Sequence, residues 1–593
     1  MTSRPDRSLR KILCALSMLA LAACSDTASE ADPLARAQAA LARGDGITAE
    51  VELRGMLEAG TPPAEVAAYM GEAELAQGSL AEAREWLGGQ KFSDATLAHG
   101  NHMLGRLEMA EGNLPEAGRA YDRSLNAGGD EPELWVDIGR LRYRGGEQAQ
   151  AIEASQKAVD LGPENPQALR FRGQLVRDAK GMAAALPYYE QALELNPKDP
   201  ELLADYAALL GELGRGRDML KTIRLLTKVD PGNRRAYYLQ AVLAARAHKY
   251  DLALTLLQRS GEVDREVPSA MLLSAIIDME RGNYASAAQM LDRLSTIQPD
   301  NRRVEPLLAR ALALGHNDKE LVYRFEAAAQ RPAASPYLQS LVARSLEAMG
   351  ERERAAKLLV GAASPAQRQF AAIDSKTPLE VAAARSASGG SELLALIRSA
   401  IAARRNPAAV AAAQSFAERF PGSGDARALL ADTRLASRQL AQSQKAFSEA
   451  ADIRRSWPIA FKLATVMAAQ GKTEDANSLL MDFMNGEPGN MEAMTVLSLR
   501  FAEAGMWSES AKFADLAFTH GGARDPVLLS LRAKAAFELG DLDLAVTLAE
   551  AAHDLQPMSL VAAKTLADAY RAANVDPALL AVAETKVRLL RAG

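Results

Sequence analysis

Ten successive units, the first beginning at residue 30, repeat one pattern at a spacing of 34 residues. Their eighth positions are Ala37, Gly71, Gly105, Gly139, Gly173, Ala207, Ala241, Ala275, Ala309 and Ala343, every one of them Gly or Ala. Twelve positions further on stand Ala49, Ala83, Ala117, Ala151, Ala185, Met219, Ala253, Ala287, Leu321 and Ala355. Small residues recurring on one helix face let two backbones approach closely, and a fixed period stacks each helix pair on the next in the same way. At 593 residues the chain is too long for one compact core, but a solenoid extends its core with every added unit. Aromatic residues make up only 5% and strand formers nowhere alternate, so the pattern predicts an all-α fold.

The unit has internal punctuation. Pro132 and Pro166 open first helices, where the missing N–H would have no partner anyway. A turn column follows at Gly44, Gly78, Gly112, Gly146, Gly214, Gly282 and Gly350, and Pro163, Pro197, Pro231 and Pro299 close their units. Lys180, His248 and His316 depart from the turn glycine, and Pro306 is expected to interrupt the first helix of 302–335 and distort that unit. The period, with its aromatic, Gly, Ala and Pro positions, resembles the tetratricopeptide repeat (TPR) family, which implies a right-handed superhelical solenoid. The register holds through a first block, 30–360, and breaks over 361–389, where Gly361, Pro365, Pro378 and Gly389 suggest a degenerate repeat or hinge. It resumes at 390, 424, 457, 491, 526 and 560, with Gly471, Ala476, Ala533, Gly540 and Ala545 in place. The expectation is about sixteen helix pairs in two blocks, the second spanning 390–593 and ending in a polar capping helix.

Residues 1–23 read as a leader. Arg4, Arg7, Arg10 and Lys11 precede an apolar run, Ile12 to Ala23, whose twelve residues fall short of the about 20 that span a bilayer. The run ends in Leu21-Ala22-Ala23-Cys24, which resembles a bacterial lipobox. That resemblance implies lipidation of Cys24, a short anchored linker over 24–29, and, with Ser25 following, an outer-membrane lipoprotein facing the periplasm. Cys14 and Cys24 are the two cysteines, so the region after the leader has neither a disulfide nor a cysteine metal site. Without the leader's four basic residues and Asp6 the net charge moves from −6 to −9, which argues against nucleic acid as a partner.

Catalytic signatures are missing from the sequence. Gly214-Arg215-Gly216 follows a helical pattern and lacks the third glycine of a dinucleotide loop, and Gly471-Lys472-Thr473 lacks the first glycine of a phosphate loop, where Val466 stands. His99 and His102 lie three apart but have no third ligand nearby, so they read as a solvent-facing pair. The expectation is a non-enzymatic chain without metal or cofactor.

What a helical solenoid offers is a long concave face lined by its first helices. The TPR resemblance implies ligand contacts from the second, fifth, ninth, twelfth and thirteenth residues of each unit. Those offsets select Arg106, Arg140, Arg144, Arg170, Arg177, Arg235, Arg246, Arg303, Arg310 and Arg344, with Tyr143, Tyr238 and Tyr337 on the same face. They also select the acids Glu133, Asp178, Glu201, Glu212, Glu280 and Glu347. The first block's groove is therefore expected to be net positive, suited to acidic peptides of envelope proteins or to an anionic polysaccharide. The lipobox followed by AQAALARGDGITAEVELRGML (Ala37 to Leu57) and repeats further resembles the PrsT-type TPR lipoproteins of exosortase/PEP-CTERM and exopolysaccharide systems. That implies a scaffold assisting export or assembly. The alternatives are a pilus or secretion assembly factor, or a direct glycan-binding protein.

Overall fold

The computed structural model describes residues 32–592, apart from 90, 299–300, 302–303, 332–333, 335, 364–376 and 386–389. The described residues hold 33 α-helices and no strand. They form sixteen helix pairs, with the helix Leu379–Arg385 standing alone inside the stretch read as degenerate. The leader and Cys24 lie outside the described residues. No described helix is long and apolar enough to cross a membrane. Compactness divides the chain between Gly145 and Gly146, whereas the sequence places its break at 361–389.

Local chemistry sets the helix boundaries. Asn165 accepts from the Ala168 N–H at 2.9 Å, and Asp199 from Leu202 at 3.0 Å, each relieving an unpaired donor of the first turn at about 1 kcal/mol. Gly112, at φ 86°, and Gly282, at φ 80°, make left-handed turns between the helices of a pair. His248 and His316 take the same conformation at φ 57° and 54° despite their side chains. At the other departure, Lys180 stays helical and Gly181 turns the chain at φ 93°.

The small columns are small because an opposing side chain lies on them. In the first unit a Cβ on Gly105 would stand 2.2 Å from Tyr121 Cε1, and one on Gly71 2.3 Å from Leu87 Cγ. The second unit repeats the device where Gly173 meets Tyr189 at 2.9 Å. The alanines of the later column, from Ala49 to Ala355, are fully buried. In two of the later repeats serines stand in these columns: Ser443 Oγ donates to Ala431 O and Ser498 Oγ to Ser510 O, both at 2.9 Å.

One expectation needs correcting. Pro306 does not interrupt a helix; it sits in the first turn of Val304–Leu314, where a missing N–H costs nothing. A cleft of about 460 Å³ lies between Tyr284–Ile297, Val304–Leu314 and Asp318–Ala329, lined by Tyr284, Ala288, Leu308 and Leu312 and bridged by Arg324 and Asp292 at 2.6 Å. The outer face of the last helix, Pro577–Ala592, is mixed: Thr585, Arg588 and Arg591 are exposed beside Leu579, Val582 and Leu589, which are 49%, 70% and 68% exposed.

Candidate binding groove

In the first unit the first helices of neighbouring pairs are tied by ion pairs that start from a residue outside the predicted set. Asp137, the sixth residue of its repeat, is 13% exposed on the helix Pro132–Arg144. It accepts from His102 Nε2 at 3.0 Å and from Arg140 Nη1 at 2.9 Å, with Arg106 Nε at 3.6 Å. Burial pushes its carboxyl up, but the His102 hydrogen bond and the Arg106, His102 and Arg140 charges outweigh burial and hold it below the usual carboxylate range. One pair earlier, His99 Nε2 bonds Glu72 Oε2 at 2.9 Å, and its ring lies 4.8 Å from that of Tyr69, whose hydroxyl accepts from Gln38 at 2.9 Å. The two histidines are thus not a solvent-facing pair. They reach in opposite directions, each to a carboxylate on an adjacent first helix, and His102 is 6% exposed. Arg144 donates to Met109 O at 2.8 Å, and Tyr143 is half-buried.

The second unit repeats the arrangement around Asp205, also a sixth residue and 12% exposed. Arg170 Nε lies 2.8 Å from one carboxylate oxygen and Arg235 Nη2 2.6 Å from the other, while Arg170 also holds Glu201 at 2.6 Å. Burial again raises this carboxyl, and the Arg235 and Arg170 charges overcome it to hold the group low. Arg177 binds Asp178 at 3.0 Å; Arg246 binds Glu212 at 3.0 Å and also Gly211 O; Arg310 approaches Glu280 at 3.8 Å. Arg344 is exposed, with no ion-pair partner within 4.0 Å among the described residues. Arg303 lies outside them. Tyr238 is half-buried between two core clusters, and the Tyr337 hydroxyl is pushed up to about 12 by burial and by the charge of Asp525.

Most of the predicted arginines are thus engaged with carboxylates: in the second unit Arg170, Arg235, Arg246 and Arg310 join successive first helices, and in the first unit His102 and Arg106 converge on Asp137. The offsets carried over from the family skip the sixth residue, and so missed both carboxylates on which the arginines converge. A signal was present: Asp137 and Asp205 stand two repeats apart in the same column. No group of three or more metal-ligating side chains occurs among the described residues.

Tetratricopeptide-repeat family profiles match this chain over residues 102–166, 136–200, 177–243 and 244–311. Among curated proteins none matches significantly. Solved structures similar to it include a tetratricopeptide repeat protein from Parabacteroides merdae, 23% identical, covering 39% of this chain and 91% of that one at a TM-score of 0.31. Pseudomonas aeruginosa PilF is 20% identical over 33% of this chain and 90% of its own, with a TM-score of 0.27. PilW, a type IV pilus biogenesis factor, is 20% identical over 33% and 92%, with a TM-score of 0.30. Residues 102–311 are accordingly matched as tetratricopeptide repeats, and the same buried small columns continue on either side of them.

Proposed function

We propose that the array is a lipid-anchored scaffold that holds polypeptide segments of envelope proteins against its first-helix face, at the periplasmic side of the outer membrane, in the export or assembly of exopolysaccharide or PEP-CTERM proteins. The carrying observation is the set of inter-helix charge contacts, from His102 and Arg106 to Asp137 in one unit and from Arg170 and Arg235 to Asp205 in the other. Free guanidinium groups would attract any polyanion. Guanidinium groups already engaged favour a ligand that offers both signs of charge in a fixed order, because it must replace the contacts it breaks. A polypeptide does this and a uniformly anionic glycan does not, so the protein partner is preferred. The Leu21-Ala22-Ala23-Cys24 sequence supports the anchor, and the repeats themselves support protein binding.

A photoreactive residue placed at Arg344, on a first helix, and another at Tyr323, 89% exposed on a second helix, test the reading in cells. Protein adducts at 344 and not at 323 support it; adducts at 323 alone, or with polysaccharide at 344, overturn it. Cys24→Ala is expected to move the protein from the membrane to the soluble fraction. Retention in the membrane would remove the anchor.

A further inference from the structure

Three backbone N–H groups in 146–593 lie at or just before helix starts, where no intrahelical partner exists, and each is bonded by chain more than 200 residues away. Ala149, in the first turn of Gln148–Leu161, donates to Gly422 O at 3.0 Å. Gly424, opening Gly424–Ala436, donates to Gln148 Oε1 at 3.0 Å. Met558, just before Leu560–Ala572, donates to Glu347 Oε1 at 2.7 Å. Between them two backbones touch: a Cβ on Gly181 would stand 2.7 Å from Gly486 Cα, and one on Gly486 3.0 Å from Lys180 O. Arg524 reaches Glu280 at 3.3 Å. Partners advance together along the chain (149 with 422, 181 with 486, 280 with 524, 347 with 558). The later stretch therefore runs beside the earlier one in the same direction, and the contacts form a seam between successive turns of the ribbon.

The seam is unlike the interior of the repeats. Gln150 Oε1 and Gln556 Nε2, at its two ends, are buried with no hydrogen-bond partner. Gly422 leaves no room for a side chain, since its Cβ would fall 1.7 Å from Gln150 Oε1. The Glu347 carboxyl is raised to about 7 by burial, although Arg344 on its own helix, Arg352 on the next, Lys586 on the last helix and the Met558 N–H all oppose that rise. His553, on the helix preceding Met558, is held neutral more readily by burial and by the same Lys586. Contacts that satisfy stranded donors while stranding other polar groups bind and release with little net preference.

We propose that this seam is a reversible latch: the two turns of 146–593 part and rejoin along it as a unit, without unfolding the repeats. Parting gives an entering segment side-on access to the first-helix face; that benefit rests on the groove reading, whereas the latch does not. Protonation enters through Glu347. The closed seam keeps a proton that the open one releases between the ordinary value of 4.5 and about 7, so closure weakens as pH rises through that interval.

Hydrogen exchange on the full chain, read at the amides of Ala149, Gly424 and Met558 and corrected for intrinsic rates, tests it. All three are expected to exchange together, protected relative to open chain but faster than interior amides of Pro336–Ala348. Gly486→Leu is expected to lower protection at Ala149 and Gly424 about tenfold or more while the helix interiors hold, and Gly422→Ala, which strikes Gln150 from outside a helix, repeats the test. Raising the pH from 5 to 8 should lower protection at Met558 in the parent chain and leave it unchanged in Glu347→Gln. Seam amides as protected as the helix interiors would make the seam a fixed part of the fold, and amides unprotected from the outset would remove it; either overturns the latch. Cooperative seam exchange in a chain whose residue 344 captures no partner would leave the latch standing and overturn the groove alone.

Discussion

Two glycines of the first unit, both inside helices, call for opposite outcomes. Gly105 has Tyr121 2.2 Å from where its Cβ would be, and Tyr121 is 2% exposed and cannot withdraw. Gly105→Ala is expected to destabilise the unit by about 1–3 kcal/mol, read by urea unfolding. Gly55, in the helix Gly46–Glu58, has nothing within 4 Å of its Cβ position, and Gly55→Ala is expected to stabilise by about 1 kcal/mol through lost backbone freedom. Equal effects from the two would remove the close-approach account of the small column. That column was legible from sequence because a steric requirement recurs at every repeat. The acids that organise the groove were not, because Asp137 and Asp205 act through neighbours on other helices, which no single-unit offset reports. Arg170 shows the consequence. As a free groove cation it would tolerate reversal, but at 19% exposure between Glu201 and Asp205 an Arg170→Glu change is expected to destabilise the unit rather than act on binding alone.

At the level of helices, pairing and turns followed the sequence closely, and the departures have local causes. His316 occupies a turn-glycine position at φ 54°, beside the cleft between Tyr284–Ile297 and Asp318–Ala329. His316→Gly is expected to raise stability by about 1 kcal/mol in urea unfolding, because a Cβ in the left-handed region costs that much and glycine escapes it. No gain would mean that the ring makes compensating contacts in the cleft. The later repeats were harder to read for a different reason. Ser443, Ser498 and Ser510 fill columns that Gly and Ala fill elsewhere, and are buried only because their hydroxyls bond one another or the facing backbone. A serine in a sequence carries no sign of that satisfaction. The period breaks over 361–389, yet the helix Leu379–Arg385 within that stretch packs on the next pair, and Ser399 Oγ donates to Thr377 O just before it at 2.7 Å.

At the scale of whole units, repeats that contact only their neighbours would give stability as a sum of local terms. The seam in 146–593 adds contacts that no period announces, since Gly181, Gly422 and Gly486 look like ordinary turn and helix-end glycines in sequence. It also gives that unit a distinct response to pH. Asp205 is held below its ordinary value of 3.8, so the folded unit binds fewer protons than the unfolded chain in acid, and its contribution, complete above about pH 4, is lost as pH falls through and below that point. Glu347 is raised from 4.5 to about 7, so the folded unit binds more protons there, and stability falls as pH climbs between those values. Asp205 and Glu347 thus give the unit 146–593 an acid limb and an upper limb, and His553, held below its ordinary 6.5 by burial and Lys586, makes the upper one shallower than Glu347 alone would. Asp205→Asn should lower the midpoint at pH 5 and flatten the acid limb, and Glu347→Gln should flatten the limb between pH 5 and 7. The first unit, whose Asp137 and Glu72 are both held low against burial, should likewise decline on the acid side. An upper limb that survives Glu347→Gln would assign the proton to another group.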